Sequence, residues 1–483
     1  MPDPGLLVDV DNLIDTILQS KYLGIFADYD ADGLTSAAMW KKCMDLAGIR
    51  TNVYIPARQD GYGASRTGID KLLAAGVDTI LFLDCGSTSI ELLSTMKIPV
   101  CILDHHQIDM LPKAAAVVNP FRPGGAEVYR NLCTAGLSFL VLARLTKRLG
   151  INYCMSLLDL TAIGTVGDVM PLIGFNKACV RRGLELINSR IHKGLSALIE
   201  VLELREITSS TLAFYIIPCL NAAGRISDPT ISYNLLVSED ESECQLLART
   251  LKTLNWQRRE LEEQIMMQAR TKLEIENKAI FLHEPQWNPG IVGIIAGRIK
   301  EEHAKTTFVL YREGELWKGS ARGHRCNVGQ LIKASVEAGL AHSGGGHAAA
   351  GGVSVHNNKL EEWKQWICSN LVETAQHDSV EIDICLAESR MSELMNLGDF
   401  GPFGSGNHSP KVLLSNLWLA NTTEGKGYLR CTLHSGRNLV GFKLKPALSE
   451  QLIRHKGRLL DILISVTEFG QSKIEDARLA SRK

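Results

Sequence analysis

Short apolar runs alternate with segments of helical period through the first third of the chain. YLGIFA (22–27) precedes a helical LTSAAMWKKCMDLAG, and TNVYIPA precedes SRTGIDKLLAAG. DTILFL (78–83) precedes SIELLSTM, and PVCIL (99–103) follows. Apolar runs bounded by turn signals read as buried strands, and the longer periodic stretches between them read as helices. Alternation at this spacing predicts right-handed crossovers and a parallel, buried sheet, hence an α/β fold.

The pattern changes twice further on. Residues 240–277 contain no Gly or Pro, and Leu247, Leu251, Leu254, Leu261 and Ile265 recur at three and four, which predicts one long, largely exposed helix joining two lobes. KAIFLHE, IVGIIAGRIKEEHA and TTFVLYRE then predict a second α/β module. From about residue 380 the chain is strand-rich: VLLSNLWLAN, YLRCTLHS, NLVGFKL and RLLDILISVTEFG, with one helical segment between. Short strands in that order fit an OB-like barrel, a common binder of single strands. The expected units are 1–238, a connecting helix at 239–277, 278–377, and 378–483.

Composition narrows the class. A chain of 483 residues, 45% hydrophobic and 22% charged, is expected to fold throughout as several domains. A net charge of −1 argues against coating nucleic acid through bulk charge but permits a local basic channel. The twelve cysteines are never closer than sixteen apart, so zinc ribbons and CxxC redox pairs have no support, and a reducing cytoplasm is expected. The stretch MPDPGLLVDVDNLIDTILQS has no basic n-region, and no apolar run reaches membrane-spanning length.

The candidate chemistry lies where strands end. GIFADYDADGLTSA carries Asp28, Asp30 and Asp32 at alternate positions before Gly33, as an EF-hand loop begins. The twelfth loop position, where calcium needs a bidentate Glu, is Met39, and a strand precedes instead of a helix. Other strands end at Asp84, in LDCGST, and at Asp104, His105 and His106, while Asp168 ends a helical stretch in AIGTVGDVMPL. Asp84 alone reads equally well as a helix N-cap, and paired histidines usually lie on a surface. Several carboxylates meeting at the carboxyl edge of a parallel sheet are different, because they repel unless cations neutralise them. Oxygen ligands with an imidazole suit Mn²⁺ or Mg²⁺ better than zinc, and two such ions can activate water for phosphoryl displacement.

DYDADG, LDCG, LDHH and VGDVMPL, in that order, resemble the four motifs of the DHH phosphoesterase superfamily. LNAAGRISDP (220–229), WKGSARG (317–323), SGGGHAAAGG (343–352) and FGPFGSGN (400–407) are similar to segments of its RecJ-type exonucleases. The resemblance implies a DHH domain, a DHH-associated domain and a two-ion, Mn²⁺- or Mg²⁺-dependent 5′→3′ exonuclease of DNA repair or recombination, specific for single-stranded DNA and releasing mononucleotides. It implies Asp30, Asp32, Asp84, His105 and Asp168 as metal ligands, with Asp84 bridging and Asp28 joining them. Many superfamily members have a histidine where this chain has Phe26, and Asp28 is the candidate to compensate. By the same resemblance His106 faces the scissile phosphate, Asp104 orients the imidazoles, and Arg58, Arg225, Ser320, Arg322 and His347 contact substrate. Expected partners are single-stranded DNA and a single-strand-binding protein or helicase, with no membrane, for a monomer. The alternatives are a phosphodiesterase for short oligoribonucleotides or cyclic dinucleotides, and a non-catalytic replication or repair scaffold.

Overall fold

The computed structural model describes residues 1–480 apart from 58–62, 109, 153, 375–380, 426, 443 and 469. Arg58 therefore lies outside the described residues. The first sheet is formed by β1 (Tyr22–Ala27), β2 (Arg50–Tyr54), β3 (Thr79–Leu83), β4 (Val100–Leu103) and β5 (Ala116–Val118), in the order β2-β1-β3-β4-β5. Every pairing in it is parallel.

Strand period explains why both faces are buried. Leu23, Ile25 and Ala27 of β1, with Leu81 and Leu83 of β3, face one core; Phe26, Ile80 and Phe82 face the other. Phe26 is accordingly a core residue, its ring 5.1 Å from that of Phe82 and 5.2 Å from that of Tyr54. Over the first face lies the helix Ala31–Leu46, buried from Ala31 through Trp40. It packs against the helices Thr134–Leu149 and Leu158–Gly167.

The long helix spans Glu241–Thr271, ending before the expected boundary at 277, and it is not a solvated spacer. Cys244, Ala248, Leu251, Ile265, Met266 and Ala269 are buried along one side, together with a buried ion pair, Arg258 to Glu262 at 3.1 Å. The periodic leucines mark a stripe against the lobes, which is what an amphipathic period predicts once neighbours exist to cover it.

The second sheet comprises β6 (Ile280–His283), β7 (Thr307–Glu313), β8 (Leu316–Arg322), β9 (Ser343–Gly346) and β10 (Ala350–His356), ordered β6-β7-β8-β10-β9. SGGGHAAAGG is a hairpin, with β9 antiparallel to β10 and His347 in the turn. The third sheet runs β11 (Ile384–Leu386), β12 (Lys411–Gly425), β13 (Tyr428–Leu433), β14 (Asn438–Phe442), β16 (Ser472–Leu479), β15 (Leu459–Val466), and β12 also pairs with β15. One long strand serves both neighbours because register shifts bend it near Asn416, which has φ +57°. The five strands β12 to β16 thus close into a ring around one apolar core. Among the described residues no helix is long and apolar enough to cross a membrane.

Candidate functional site

The backbone ladder of the first sheet continues past its strands and sets three acids in a row. Asp28 N–H donates to Leu83 O at 3.2 Å, Asp84 N–H to Leu103 O at 3.1 Å, and Asp104 N–H to Val118 O at 3.1 Å. Their side chains therefore share the carboxyl edge. Asp84 takes φ +60°, a conformation rare outside glycine and frequent at functional turns.

The loop after β1 adds two more acids. Asp30 caps the helix Ala31–Leu46, accepting from Asp32 N–H at 3.0 Å and Gly33 N–H at 3.2 Å. Gly33 is required by close approach, since a Cβ there would lie 2.3 Å from Asp28 O. Asp32 turns toward the N-terminus of the helix Thr134–Leu149 and accepts from Thr134 and Ala135 N–H, both at 2.7 Å.

His105 sits among the acids. Its Nε2 is 3.4 Å from Asp84 Oδ1, 3.4 Å from Asp168 Oδ2 and 3.9 Å from Asp32 Oδ2. Three overlapping groups have ligand atoms within 4.8 Å of one another: Asp84, His105 and His106; Asp32, His105 and Asp168; and Asp28, Asp30 and Asp84. All the acids expected at the metals are thus brought together, Asp28 included.

Such a cluster is poorly compatible with full ionisation. Burial, then the charges of Asp32, Asp30, Asp28 and Asp104, push Asp84 well above the usual carboxylate range. Burial and Asp32 raise Asp30. Burial, Asp32 and Asp30 push Asp168 up to about 8, and its buried Oδ2 accepts no hydrogen bond among the described residues. Excess negative charge and an unsatisfied buried oxygen are what a hard divalent cation would relieve, so the donor set fits Mn²⁺ or Mg²⁺.

Asp104 behaves differently. It accepts from Ser87 N–H at 3.2 Å and His105 N–H at 2.7 Å and lies 2.7 Å from His106 Nδ1. Burial works to raise it, but the His106 hydrogen bond and charge hold it low; reciprocally His106, lowered by burial, is pushed up to about 9 by Asp104. Asp104 thereby favours the cationic form of His106. Burial lowers His105, which favours its neutral, ligating form.

Two polar residues absent from the sequence reading complete the cluster. Thr134 Oγ1 donates to Asp84 Oδ1 at 3.0 Å, and Asn119 Nδ2 donates to His106 O at 2.9 Å. Thr134 opens a helix and reads locally as part of a cap. Its acidic partner Asp32 lies 102 positions away, so no spacing could have paired them.

The remaining expected contacts come from the second lobe, except Arg225, which comes from the first. The rings of His347 and His106 are 6.4 Å apart. Gly293, near the start of the helix Val292–His303, lies where a Cβ would be 3.2 Å from both Ser320 Oγ and Arg322 Nη2. Arg225 Nη1 donates to Gly290 O at 3.1 Å, just ahead of Gly293 in the same segment. Gly224 in turn abuts Tyr29, between Asp28 and Asp30. Arg225, Ser320 and Arg322 therefore gather around residues 290–293, at a helix N-terminus suited to phosphate. On the third sheet Tyr428 and Phe442 are exposed partners across β13 and β14, with rings 6.4 Å apart.

The DHH family, N-terminal domain, matches residues 23–165, and the DHHA1 domain matches residues 276–373. The single-stranded-DNA-specific exonuclease RecJ of Escherichia coli (strain K12) is 31% identical over 83% of this chain and 76% of its own length. RecJ of Bacillus subtilis (strain 168) is 28% identical over 97% of this chain, which spans only 62% of that protein. The crystal structure of RecJ from Thermus thermophilus with Mn²⁺ superposes with a TM-score of 0.82 at 27% identity, over 100% of this chain and 72% of that one. The same relative has been solved with Mg²⁺.

Proposed function

The chain belongs to the RecJ family of single-stranded-DNA-specific exonucleases, and from that premise we propose that it degrades single-stranded DNA 5′→3′ to mononucleotides in DNA repair or recombination. The observation that carries this reading is the cluster of strand-end acids, with the ring of His347 from the second lobe 6.4 Å from that of His106. Asp28, Asp30, Asp32, Asp84, His105 and Asp168 would hold two Mn²⁺ or Mg²⁺ ions, with Asp84 between them. The ions seen in the Thermus relative support that choice. When bound, such a pair neutralises the acids and activates water for attack on phosphorus.

The chain's own residues do the rest. Thr134 and the helix N-terminus orient Asp84 and Asp32. Asp104 favours the cationic form of His106 beside the position the scissile phosphate takes, with His347 approaching from the other lobe. Ser320 and Arg322 at the helix N-terminus, with Arg225 beside them, bind the 5′-terminal phosphate; Arg58 is assigned to the same role. A gap between the lobes that admits one strand would exclude a duplex without any base readout.

The closed ring of β12 to β16, with the helix Pro446–Arg454 between its third and fourth strands in chain order, supports an OB-type barrel. Tyr428 and Phe442 would then stack bases. The division at 238, 277 and 377 into DHH domain, connecting helix, DHH-associated domain and barrel belongs to this proposal, as do a cytoplasmic monomer and partnership with a single-strand-binding protein or helicase. A barrel of this kind favours a long strand over the short-oligonucleotide and scaffold alternatives.

The test is digestion of single strands labelled at either end, carrying 5′-phosphate or 5′-hydroxyl, with Mn²⁺, Mg²⁺ or EDTA. Metal-dependent release of 5′ mononucleotides is expected, and shortening from the 3′ end would overturn the assignment.

A further inference from the structure

Asp168 ends its helix, and the residues after it are not held by regular structure until Gly174. Val169 adopts φ +56°, a left-handed conformation that a β-branched residue avoids. Met170 N–H bonds back to Thr165 O at 3.1 Å. Further on, the contact comes from the third lobe: Leu172 N–H donates to Ser405 O at 2.6 Å.

The FGPFGSGN loop is shaped for that contact. A Cβ on Gly404 would lie 2.8 Å from Leu172 Cδ1, and one on Gly406, itself at φ +68°, would lie 2.9 Å from Pro171 Cβ. The two glycines let the loop lie flat on residues 171–172. Glu468 anchors it from below. Its Oε1 accepts from Phe403 N–H at 3.0 Å and from Ser209 Oγ at 2.7 Å, and its Oε2 accepts from Ser209 N–H at 3.2 Å.

We propose that loop 400–407, clamped by Glu468, is a positioning element for the metal site: it holds the turn at Val169 and so aims the Asp168 carboxylate. The idea rests on the reading of Asp168 as a metal ligand. None of the loop residues touches reacting atoms. They act through the backbone, because releasing Leu172 removes one of the restraints, beside the Asn176 Nδ2 bond to Pro171 O at 3.0 Å, on an unfavourable turn one residue after the carboxylate. Metal affinity depends on such supporting contacts as well as on the ligands themselves. The third lobe would then serve hydrolysis even where no DNA touches it.

The experiment is a Mn²⁺ titration of the metal-stripped full chain, followed by electron paramagnetic resonance, for the parent, Gly406→Ala and Glu468→Gln. Glutamine keeps one acceptor for Phe403 N–H but sets its amide NH₂ against Ser209 N–H, so it weakens the clamp's tie to Ser209 with little change in volume. Two ions per parent chain test the underlying reading, and fewer than two would sink that reading first. Given two, both variants should bind one ion about 10-fold more weakly. Their affinity for a long single strand in EDTA should stay within about 2-fold of the parent, because phosphate and stacking contacts are untouched. Trinucleotide hydrolysis should recover at saturating Mn²⁺. If Gly406→Ala does not fold, Glu468→Gln decides alone. Parental Mn²⁺ affinity in a folded Glu468→Gln protein overturns the proposal, as does weakened Mn²⁺ binding with an equal loss of strand affinity.

Discussion

His106 of the first lobe and His347 of the second lie with ring centroids 6.4 Å apart and planes inclined by 27°. The pair brings the second lobe up to the acid cluster, since Asp104 holds His106 through Nδ1 and His347 stands in the β9–β10 turn. His347→Ala should reduce kcat by about 10- to 100-fold, the range of a group that stabilises charge in the transition state. Mn²⁺ binding should be unchanged, because His347 is not among the clustered ligands. Steady-state kinetics beside a metal titration separates the two effects.

Asp84 belongs to two of the three ligand groups, more than any other acid. Asp84→Ala should lower cleavage by at least about 10³-fold while single-strand binding persists, since loss of a shared ligand removes the positioning of both ions. Substantial nuclease activity in that variant with Mn²⁺ would contradict the two-ion arrangement.

Metal binding should release protons. Asp168 is pushed up to about 8 by burial and its acidic neighbours, so the metal-free protein carries a proton there at pH 7 that a ligand must lose. Mn²⁺ affinity should therefore rise as pH passes from about 7 to about 9. The stability consequence has a definite sign. A carboxyl raised in the folded state stabilises below its unfolded value and loses that contribution as pH climbs through about 8; His106, raised to about 9, acts in the same direction. In EDTA the Tm should fall as pH rises from about 6.5, above the range where His105, lowered by burial, titrates, to about 9, and should level off beyond. Saturating Mn²⁺ should flatten the slope.

Tyr428→Ala and Phe442→Ala remove exposed rings paired across β13 and β14. Each should weaken binding of long strands by about 5- to 160-fold, corresponding to about 1–3 kcal/mol per stacked base. Trinucleotide hydrolysis should change little, and equal losses on both substrates would argue against base stacking there.

Ser320 and Arg322 meet at the start of the helix Val292–His303. A charge-assisted contact to a terminal phosphate contributes about 1.5–3 kcal/mol, so Arg322→Ala should cost about one to two decades on 5′-phosphorylated strands. On 5′-hydroxyl strands the loss should be much smaller. Arg322 is the sharper probe than Arg225, whose guanidinium also bonds Gly290 O across the lobes.

Local pattern was enough to determine the parallel sheet, because continuous apolar runs such as Ile25, Phe26 and Ala27, buried on both faces, and the helical period between them are written in consecutive residues. It was also enough to bring the acids to one edge: a residue that ends a parallel strand must emerge at the carboxyl side, so Asp28, Asp84 and Asp104 fall in a row wherever the strands neighbour one another. What no local pattern contained was distance across the fold. Thr134 meets Asp32, Gly293 meets Ser320 and Arg322, and Ser405 meets Leu172 only because separate elements pack together. The long helix shows the same limit, as its leucine stripe specified a buried face without saying what covers it. Hydrogen bonds and packing between such segments depend on the whole chain at once, so tertiary structure alone decided which side chains surround the acids and which loop steadies Asp168.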